Sequence, residues 1–133
     1  MDAVGRVGWI QIDCADPVGL ATFWGAMLGQ EFDEALGDPV HYLGLVPTVP
    51  GAPVVSFQRV PEAKTVKNRL HLDVVVEDVE AASARVVELG GSVEVAEGSR
   101  VRLPMEGCHR PRGQRVLFDL LTLRRPGPSS ADR

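Results

Sequence analysis

The sequence predicts an α+β fold made from two tandem copies of one strand–helix unit. The segment WIQIDCADP at Trp9–Pro17 returns as HLDVVVEDV at His71–Val79, and in each copy an acidic residue follows an apolar-alternating run. An amphipathic segment then closes on Leu-Gly in both copies, at residues 28–29 and 89–90. A repeat at a fixed offset indicates a duplicated supersecondary unit, and the cleft between two such units is a common place for a binding site.

The first copy predicts a strand at residues 7–12 followed by a helix. Along the strand, side chains alternate between two faces, which separates the isoleucines from Trp9 and Gln11. Asp16 stands before Pro17, an order typical of a helix start because the carboxylate accepts free amides and proline has a suitable φ. Apolar residues then recur at helical spacing, and Gly29 supplies the stop. This core-facing stripe comprises Leu20, Phe23, Trp24, Met27 and Leu28.

Three more strands complete the first predicted module. Runs rich in β-branched and aromatic residues lie between glycine and proline turns, which is the usual pattern of short strands. We place these strands at Glu31–Leu36, Tyr42–Val46 and Val54–Val60, with turns at residues 37–39 and 49–51.

The second module repeats the plan. We expect a strand at Leu70–Val76, then a helix that begins after its cap Asp78 and ends near Leu89. Further strands are predicted at Ser92–Ala96 and Val116–Leu123. Each module is thus βαβββ.

The whole chain is expected to form one domain. We place it at residues 1–123, with module one at about 4–60 and module two at about 69–123. Residues 124–133 contain no apolar side chains worth burying, so this tail is expected to be disordered.

Composition excludes several classes of protein. The 133 residues are 44% hydrophobic and 24% charged, which suits a soluble globular domain, and no apolar run approaches the roughly 18 residues of a membrane span. A net charge of −4 argues against a nucleic-acid partner. Cys14 and Cys108 are isolated, as in a reducing compartment, and the first residues lack the apolar core of a signal peptide. We therefore expect a cytoplasmic protein with no membrane partner.

These segments resemble the vicinal oxygen chelate superfamily, which contains glyoxalase I, bleomycin-resistance proteins and extradiol dioxygenases. The resemblance lies in IDCADPVGLATFWGAMLG at residues 12–29 and SFQRVPEAKTVKNRLHLDVVVEDVEAASARVVELGG at residues 56–91. It is similar to the glyoxalase-like subgroup and covers about residues 7–98. The resemblance implies two modules that curl into a cup-shaped mixed sheet with helices outside, and it implies a homodimer.

The resemblance also implies a divalent-metal site, with ligands on the first and fourth strand of each module. His71 falls on one of these positions, seven residues before Asp78, whereas Trp9 occupies the matching position of module one and cannot ligate a metal. Gln58 offers at best an amide oxygen on the fourth strand. Since a divalent ion usually needs three or more protein ligands, we expect no cofactor in this chain, although intact relatives can hold a metal.

The fourth family ligand lies in a closing motif, DPEGNEFCL, which this chain replaces by HRPRGQRVLF at residues 109–118. One back-translation of that segment, read one base later, gives TDPEGNEFCL. We hypothesise that residues of about 97–133 are a frame-shifted reading, which places Arg115 where the family has a glutamate. A cation at that position would repel a metal ion.

Candidate site residues follow from the shared faces and the resemblance. His71 and Asp73 lie two residues apart on one strand face, so they are candidate catalytic residues, with His71 as acid or base or as the one remaining metal ligand. The alternative is a histidine hydrogen-bonded to a neighbour and an aspartate paired with Arg69. Ligand binding is predicted for a further set: Trp9, Gln11, Gln58 and Arg69.

The expected function is that of a glyoxalase-like small-molecule binding protein or enzyme, with its ligand in the cup between the modules. If it is an enzyme, the resemblance implies a lyase, isomerase or dioxygenase. Two alternatives stay open: a metal-free sequestering protein of the bleomycin-resistance type, and an inactive product of a frame shift. Five residues near the linker are candidates for contacting an anionic substrate: Gln58, Arg59, Lys67, Asn68 and Arg69.

Overall fold

A computed structural model describes residues 3–66, 69–70, 72–91, 93–95, 101–104 and 119–124. The chain divides after Ala63 into two compact units, and the described part of each contains one sheet and one helix. Among the described residues, no helix has the length and apolar character needed to span a membrane.

The first unit is a three-stranded sheet with one helix. Strand β1 (Trp9–Cys14) leads into helix α1 (Pro17–Leu28), and strands β2 (Tyr42–Gly44) and β3 (Val54–Arg59) follow. The sheet order is β1-β3-β2, with β1 parallel to β3 and β2 antiparallel to β3. Because β3 lies between β1 and β2, residues of the first and last strands of this unit lie side by side.

Helix α1 begins and ends where its sequence predicts. The Gly19 amide donates to Asp16 Oδ1 at 3.1 Å, and Pro17 occupies the first turn, where its missing N–H costs nothing. Gly29 ends the helix with φ of 63°, a left-handed conformation in which a Cβ would be strained. The predicted cap, start and stop of α1 are therefore confirmed.

The core of the first unit lies between α1 and one face of its sheet. Ile12 and Leu43 flank Phe57 across the three strands, and all three side chains are buried. The Phe23 and Trp24 rings meet edge to face at 6.1 Å, a favourable aromatic arrangement. Full burial of each large apolar side chain contributes roughly 1.5–3 kcal/mol. The buried side chains of α1 and of the sheet thus form one core on this face of the sheet.

The segment predicted as a strand at Glu31–Leu36 makes only isolated bridges. Phe32 pairs with Leu45 and Leu36 pairs with Tyr42, both antiparallel. Between these bridges the Glu34 amide donates to Asp33 Oδ1 at 2.8 Å, so a side chain takes a backbone donor that a continuous ladder would use. The predicted strand was therefore wrong in extent, although the segment runs along the edge of β2.

The second unit repeats the same chain path. Strand β4 (Leu72–Val75) leads into helix α2 (Val79–Glu88), and three strands follow: β5 (Glu94–Val95), β6 (Val101–Pro104) and β7 (Asp119–Arg124). The order is β4-β7-β6-β5, with β4 parallel to β7. In both units the first strand thus pairs in parallel with the last, and the preceding strand pairs antiparallel with the last. The duplication read from the sequence is partly visible in this shared topology, since the described sheets have three and four strands.

Helix α2 has the predicted cap and apolar stripe. Asp78 Oδ1 accepts from the Glu80 and Ala81 amides at 2.9 and 3.1 Å, which satisfies two free donors of the first turn. Val86 is fully buried, while Glu88 is exposed and pairs with Arg85 at 2.9 Å. This confirms the amphipathic pattern of the segment.

Much of the proposed frame-shifted region lies outside the described residues. The backbones of 101–104 and 119–124 form β6 and β7 and complete the second sheet. The replaced motif at 109–118, with Arg115, and the predicted tail after Arg124 are not among the described residues. The frame-shift hypothesis stays a prediction.

Candidate ligand-binding face

The sheet of the first unit has a second face, opposite the one that packs on α1. On β1, exposed Trp9, Gln11 and Asp13 alternate with the less exposed side chains that face the helix. We call this second face the polar face, after its strand residues: Trp9, Gln11, Asp13, Tyr42, Gly44, Val54, Ser56 and Gln58.

The register of the strands brings two predicted site residues together. Gln11 is level with Ser56, and Gln58 is the next residue of β3 on the same face. The Gln11 Nε2 atom donates a hydrogen bond to Gln58 Oε1, across 47 residues of sequence. Trp9 precedes Gln11 on this face and is 66% exposed, so its indole ring is open to an incoming molecule.

Ser56 is a member of the polar face that the sequence analysis did not single out. It is fully buried, and its Oγ atom has no hydrogen-bond partner among the described residues. A buried hydroxyl without a partner costs about 1–3 kcal/mol. The alternation of β3 offers the signal that was missed, because Ser56 lies two residues before Gln58 and must share its face.

Gly44 has no side chain and so leaves the polar face open beside Ser56. A Cβ at this position would lie 3.4 Å from Val54 Cγ1, 3.6 Å from Tyr42 Oη and 3.7 Å from Asp33 Cβ. All three distances are ordinary van der Waals contacts, so a methyl group fits here, and the glycine leaves this part of the polar face without a side chain.

Arg59 lies on the other face and is committed to backbone groups. Its Nε donates to Val40 O at 2.9 Å, and its guanidinium also donates to Ala15 O at 2.5 Å. The side chain thereby ties the loop before β2 to the turn before α1. Arg59 is therefore a structural residue here and does not contact the polar face, in contrast to its predicted role with an anionic substrate.

Cys14 is buried on the helix side and poorly suited to nucleophilic chemistry. Burial, with a smaller contribution from the nearby Asp16 charge, raises the pKa of the Cys14 thiol to about 11. Its Sγ contacts Gln58 O at 3.6 Å. Since the thiolate is the reactive form, this cysteine is nearly inert at neutral pH. Its burial as a free thiol agrees with the sequence analysis, and Cys108 lies outside the described residues.

The other predicted site residues belong to the second unit. Asp73 is exposed on β4, at the position that corresponds to Gln11 in the repeat, and Arg69 is exposed just before this strand. His71 lies outside the described residues. The structure therefore brings together Trp9, Gln11 and Gln58, while the roles of His71, Asp73 and Arg69 stay predictions.

The first unit does not supply its half of the family metal site. Trp9 has no donor atom for a metal, and the carbonyl oxygen of Gln58 already accepts the Gln11 amide. No group of three or more His, Cys, Asp or Glu side chains suited to a metal occurs within the part of the chain that the structure describes. We therefore assign no chemical step to a metal on the polar face.

Comparison with known proteins agrees with the repeated topology. A family model described as a glyoxalase-like domain matches residues 9–120, which is most of the chain. The chain belongs to this family. The resemblance drawn from the sequence is thus confirmed, and with it the α+β fold class. No curated protein sequence matches the chain significantly.

Solved structures of glyoxalase-like and related proteins share this fold at low sequence identity. A fosfomycin resistance protein from Listeria monocytogenes superimposes with a TM-score of 0.68 at 13% identity, covering 95% of this chain and 94% of its own. A possible glyoxalase from Bacillus cereus superimposes with a TM-score of 0.61 at 14% identity, covering 92% of this chain and 98% of its own. An antibiotic-binding protein from a Streptomyces species superimposes with a TM-score of 0.60 at 17% identity, covering 96% of this chain and 100% of its own. These similarities establish the fold of this family member.

Proposed function

We propose that this glyoxalase-like protein binds a flat organic molecule on the polar face of its first unit, without a metal ion, and acts by sequestering it. The observation that carries the proposal is the exposed Trp9 ring beside the Gln11–Gln58 amide pair. This is the metal-free alternative of the sequence analysis, now attached to particular side chains.

Trp9 provides most of the available binding energy. A tryptophan side chain has roughly 250 Å² of surface, and this one is 66% exposed. Covering one face of the ring removes roughly 80 Å² from water, which stabilises the complex by about 2 kcal/mol at 25 cal/mol per Å². An aromatic ligand adds a stacking contribution of about 0.5–1.5 kcal/mol.

The amide pair provides orientation. Gln11 uses one N–H in its hydrogen bond to Gln58, which leaves the Gln11 carbonyl and the Gln58 amide N–H groups for a ligand. These groups offer an acceptor and donors side by side, on side chains from neighbouring strands. A ligand with a polar edge is therefore held more firmly than a hydrocarbon of the same shape.

Three further considerations favour binding over catalysis on this face. The inert Cys14 thiol faces the helix side, and Trp9 stands where the resemblance implies a metal ligand. The antibiotic-binding protein from Streptomyces shows that a protein with this fold can serve as a binder. An enzymatic role that uses His71 and Asp73 stays a prediction for the second unit.

The experiment uses acridone, a neutral planar aromatic compound, in buffer with EDTA. The chain has two tryptophans, of which Trp9 is exposed and Trp24 is buried, so ligand stacking changes the emission of Trp9. We expect saturable quenching in the natural protein and in Phe32→Leu, a control at an exposed ring off the polar face. Because Trp9→Phe removes the reporter, acridone binding to this variant is measured by equilibrium dialysis, beside the natural protein, and should be mostly lost. Binding that persists in Trp9→Phe, or that requires a stoichiometric divalent ion, would refute the proposal.

A further inference from the structure

The two halves of the chain carry opposite net charge. Residues 1–63 contain eight acidic residues against two arginines, a net charge of −6. Residues 64–133 contain ten acidic and twelve basic residues, a net charge of +2. The net negative charge of the first unit gives it a negative electrostatic potential. Such a potential raises the local concentration of cationic ligands.

The polar face shares this acidic character. Asp13 is exposed on β1, one residue pair beyond Gln11, and Asp33 lies beside Gly44 at the far edge. No lysine, arginine or histidine is among the strand residues of this face. Arg59, the one cation of the three strands, lies on the opposite face with its guanidinium bound to two backbone carbonyls. The carboxylates of the face thus have no cation of this sheet beside them.

Ser56 adds a second, independent feature. Its hydroxyl is fully buried on the polar face and has no partner among the described residues, although such groups are normally satisfied. Trp9 and Asp13 each lie one diagonal step from Ser56 in the register. With strands about 4.8 Å apart and about 3.3 Å per residue, each step is roughly 8 Å between Cα atoms. These three residues therefore lie within the span of one small molecule, which reaches the buried Ser56 hydroxyl by displacing the side chains that cover it.

We propose that the ligand of the polar face is a flat organic cation, such as a protonated aromatic amine. This inference rests on the proposed function and names its ligand class. The ring stacks on Trp9, whose π face attracts a cation. The ammonium N–H groups donate to the Asp13 carboxylate and to Ser56 Oγ, which gives the buried hydroxyl the partner it lacks. An anionic ligand is repelled by Asp13 and finds no countercharge on this face.

The test compares three planar probes of similar size and different charge. Proflavine is cationic at neutral pH, acridone is neutral and anthracene carboxylate is anionic. Equilibrium dialysis against the full chain should give proflavine the lowest Kd, about tenfold below that of acridone, and no saturable binding of the anion. Raising NaCl from about 0.02 to 0.5 M should weaken the binding of proflavine but not of acridone, because salt screens the charge contribution.

Four variants separate the contributions. Asp13→Asn should raise the Kd of proflavine about tenfold and leave that of acridone unchanged, whereas the control Glu62→Gln removes an exposed carboxylate elsewhere in the unit without effect. Ser56→Ala should raise the Kd of proflavine about fivefold, while its unfolding midpoint stays the same or rises, since an unpaired buried hydroxyl is removed. Trp9→Ala should weaken both probes.

The outcomes distinguish the two proposals. Equal affinity for proflavine and acridone, with both lost in Trp9→Ala, would overturn charge selection and leave the binding face in place. Charge selection would also be overturned if Asp13→Asn and Glu62→Gln behave alike, or if Ser56→Ala loses stability and leaves the Kd unchanged. Absence of saturable binding for all three probes would overturn both proposals.

Discussion

Arg59 provides the sharpest test of how the first unit is held together. It donates to Val40 O at 2.9 Å and to Ala15 O at 2.5 Å, and thereby joins two loops at one end of the sheet. Arg59→Met keeps the apolar stem and removes both hydrogen bonds. Hydrogen bonds from charged groups contribute about 1.5–3 kcal/mol each. Because the side chain is half-buried and water can replace it at both carbonyls, we expect a total loss of about 2 kcal/mol.

The measurement is urea unfolding followed by tryptophan fluorescence, which reports on the first unit because both tryptophans lie there. With a slope of roughly 2 kcal/mol per M of urea, the midpoint of Arg59→Met should fall by about 1 M. Arg6→Met is the matched control, since Arg6 is exposed before β1 in the same unit, and exposed substitutions usually change the free energy of unfolding by less than about 0.5 kcal/mol. Arg59→Lys should be intermediate because one ammonium cannot span both carbonyls.

Equal midpoints for Arg59→Met and Arg6→Met would refute this account of the loop contacts. A large shift with an unchanged slope would support it, because the slope reports the surface exposed on unfolding. An altered slope would instead show that the substitution changes the compactness of the native or the unfolded state. The loss of stability could then not be assigned to the two hydrogen bonds.

Two further predictions concern Cys14 and the cap of α2. The Cys14 pKa is raised from 9.0 to about 11 in the folded protein, so between these values the native state keeps a proton that the unfolded state has lost. The free energy of unfolding should therefore fall by roughly 2–3 kcal/mol as the pH rises from 9 to 11, measured by denaturant unfolding. Cys14→Ala should remove this part of the pH dependence, and an identical profile in that variant would contradict the assignment. Asp78→Ala should lower the free energy of unfolding by about 1 kcal/mol because two first-turn amides lose their acceptor. Asp78→Asn should retain most of this stability, since its side-chain oxygen can still cap the helix. Thermal unfolding followed by circular dichroism tests this, and equal losses in the two variants would argue against a capping role.

Several features could be predicted because they depend on short-range physics. The cap Asp16, the first-turn Pro17 and the stop Gly29 act within one or two helical turns, and the structure has all three in these roles. The alternation of β1 likewise separated Trp9 and Gln11 from the buried side chains. Strand extents were less predictable, because Asp33 competes for a backbone amide, and the two-residue β5 is too short to give a pattern.

The sequence by itself determined the duplicated fold, the ends of α1, and the face on which Trp9 and Gln11 lie. Only the tertiary structure decided the rest of the candidate site. The Gln11–Gln58 hydrogen bond and the isolation of the Ser56 hydroxyl both depend on the parallel register of β1 and β3. That register joins residues about 45 positions apart in the sequence, so no local pattern encodes it.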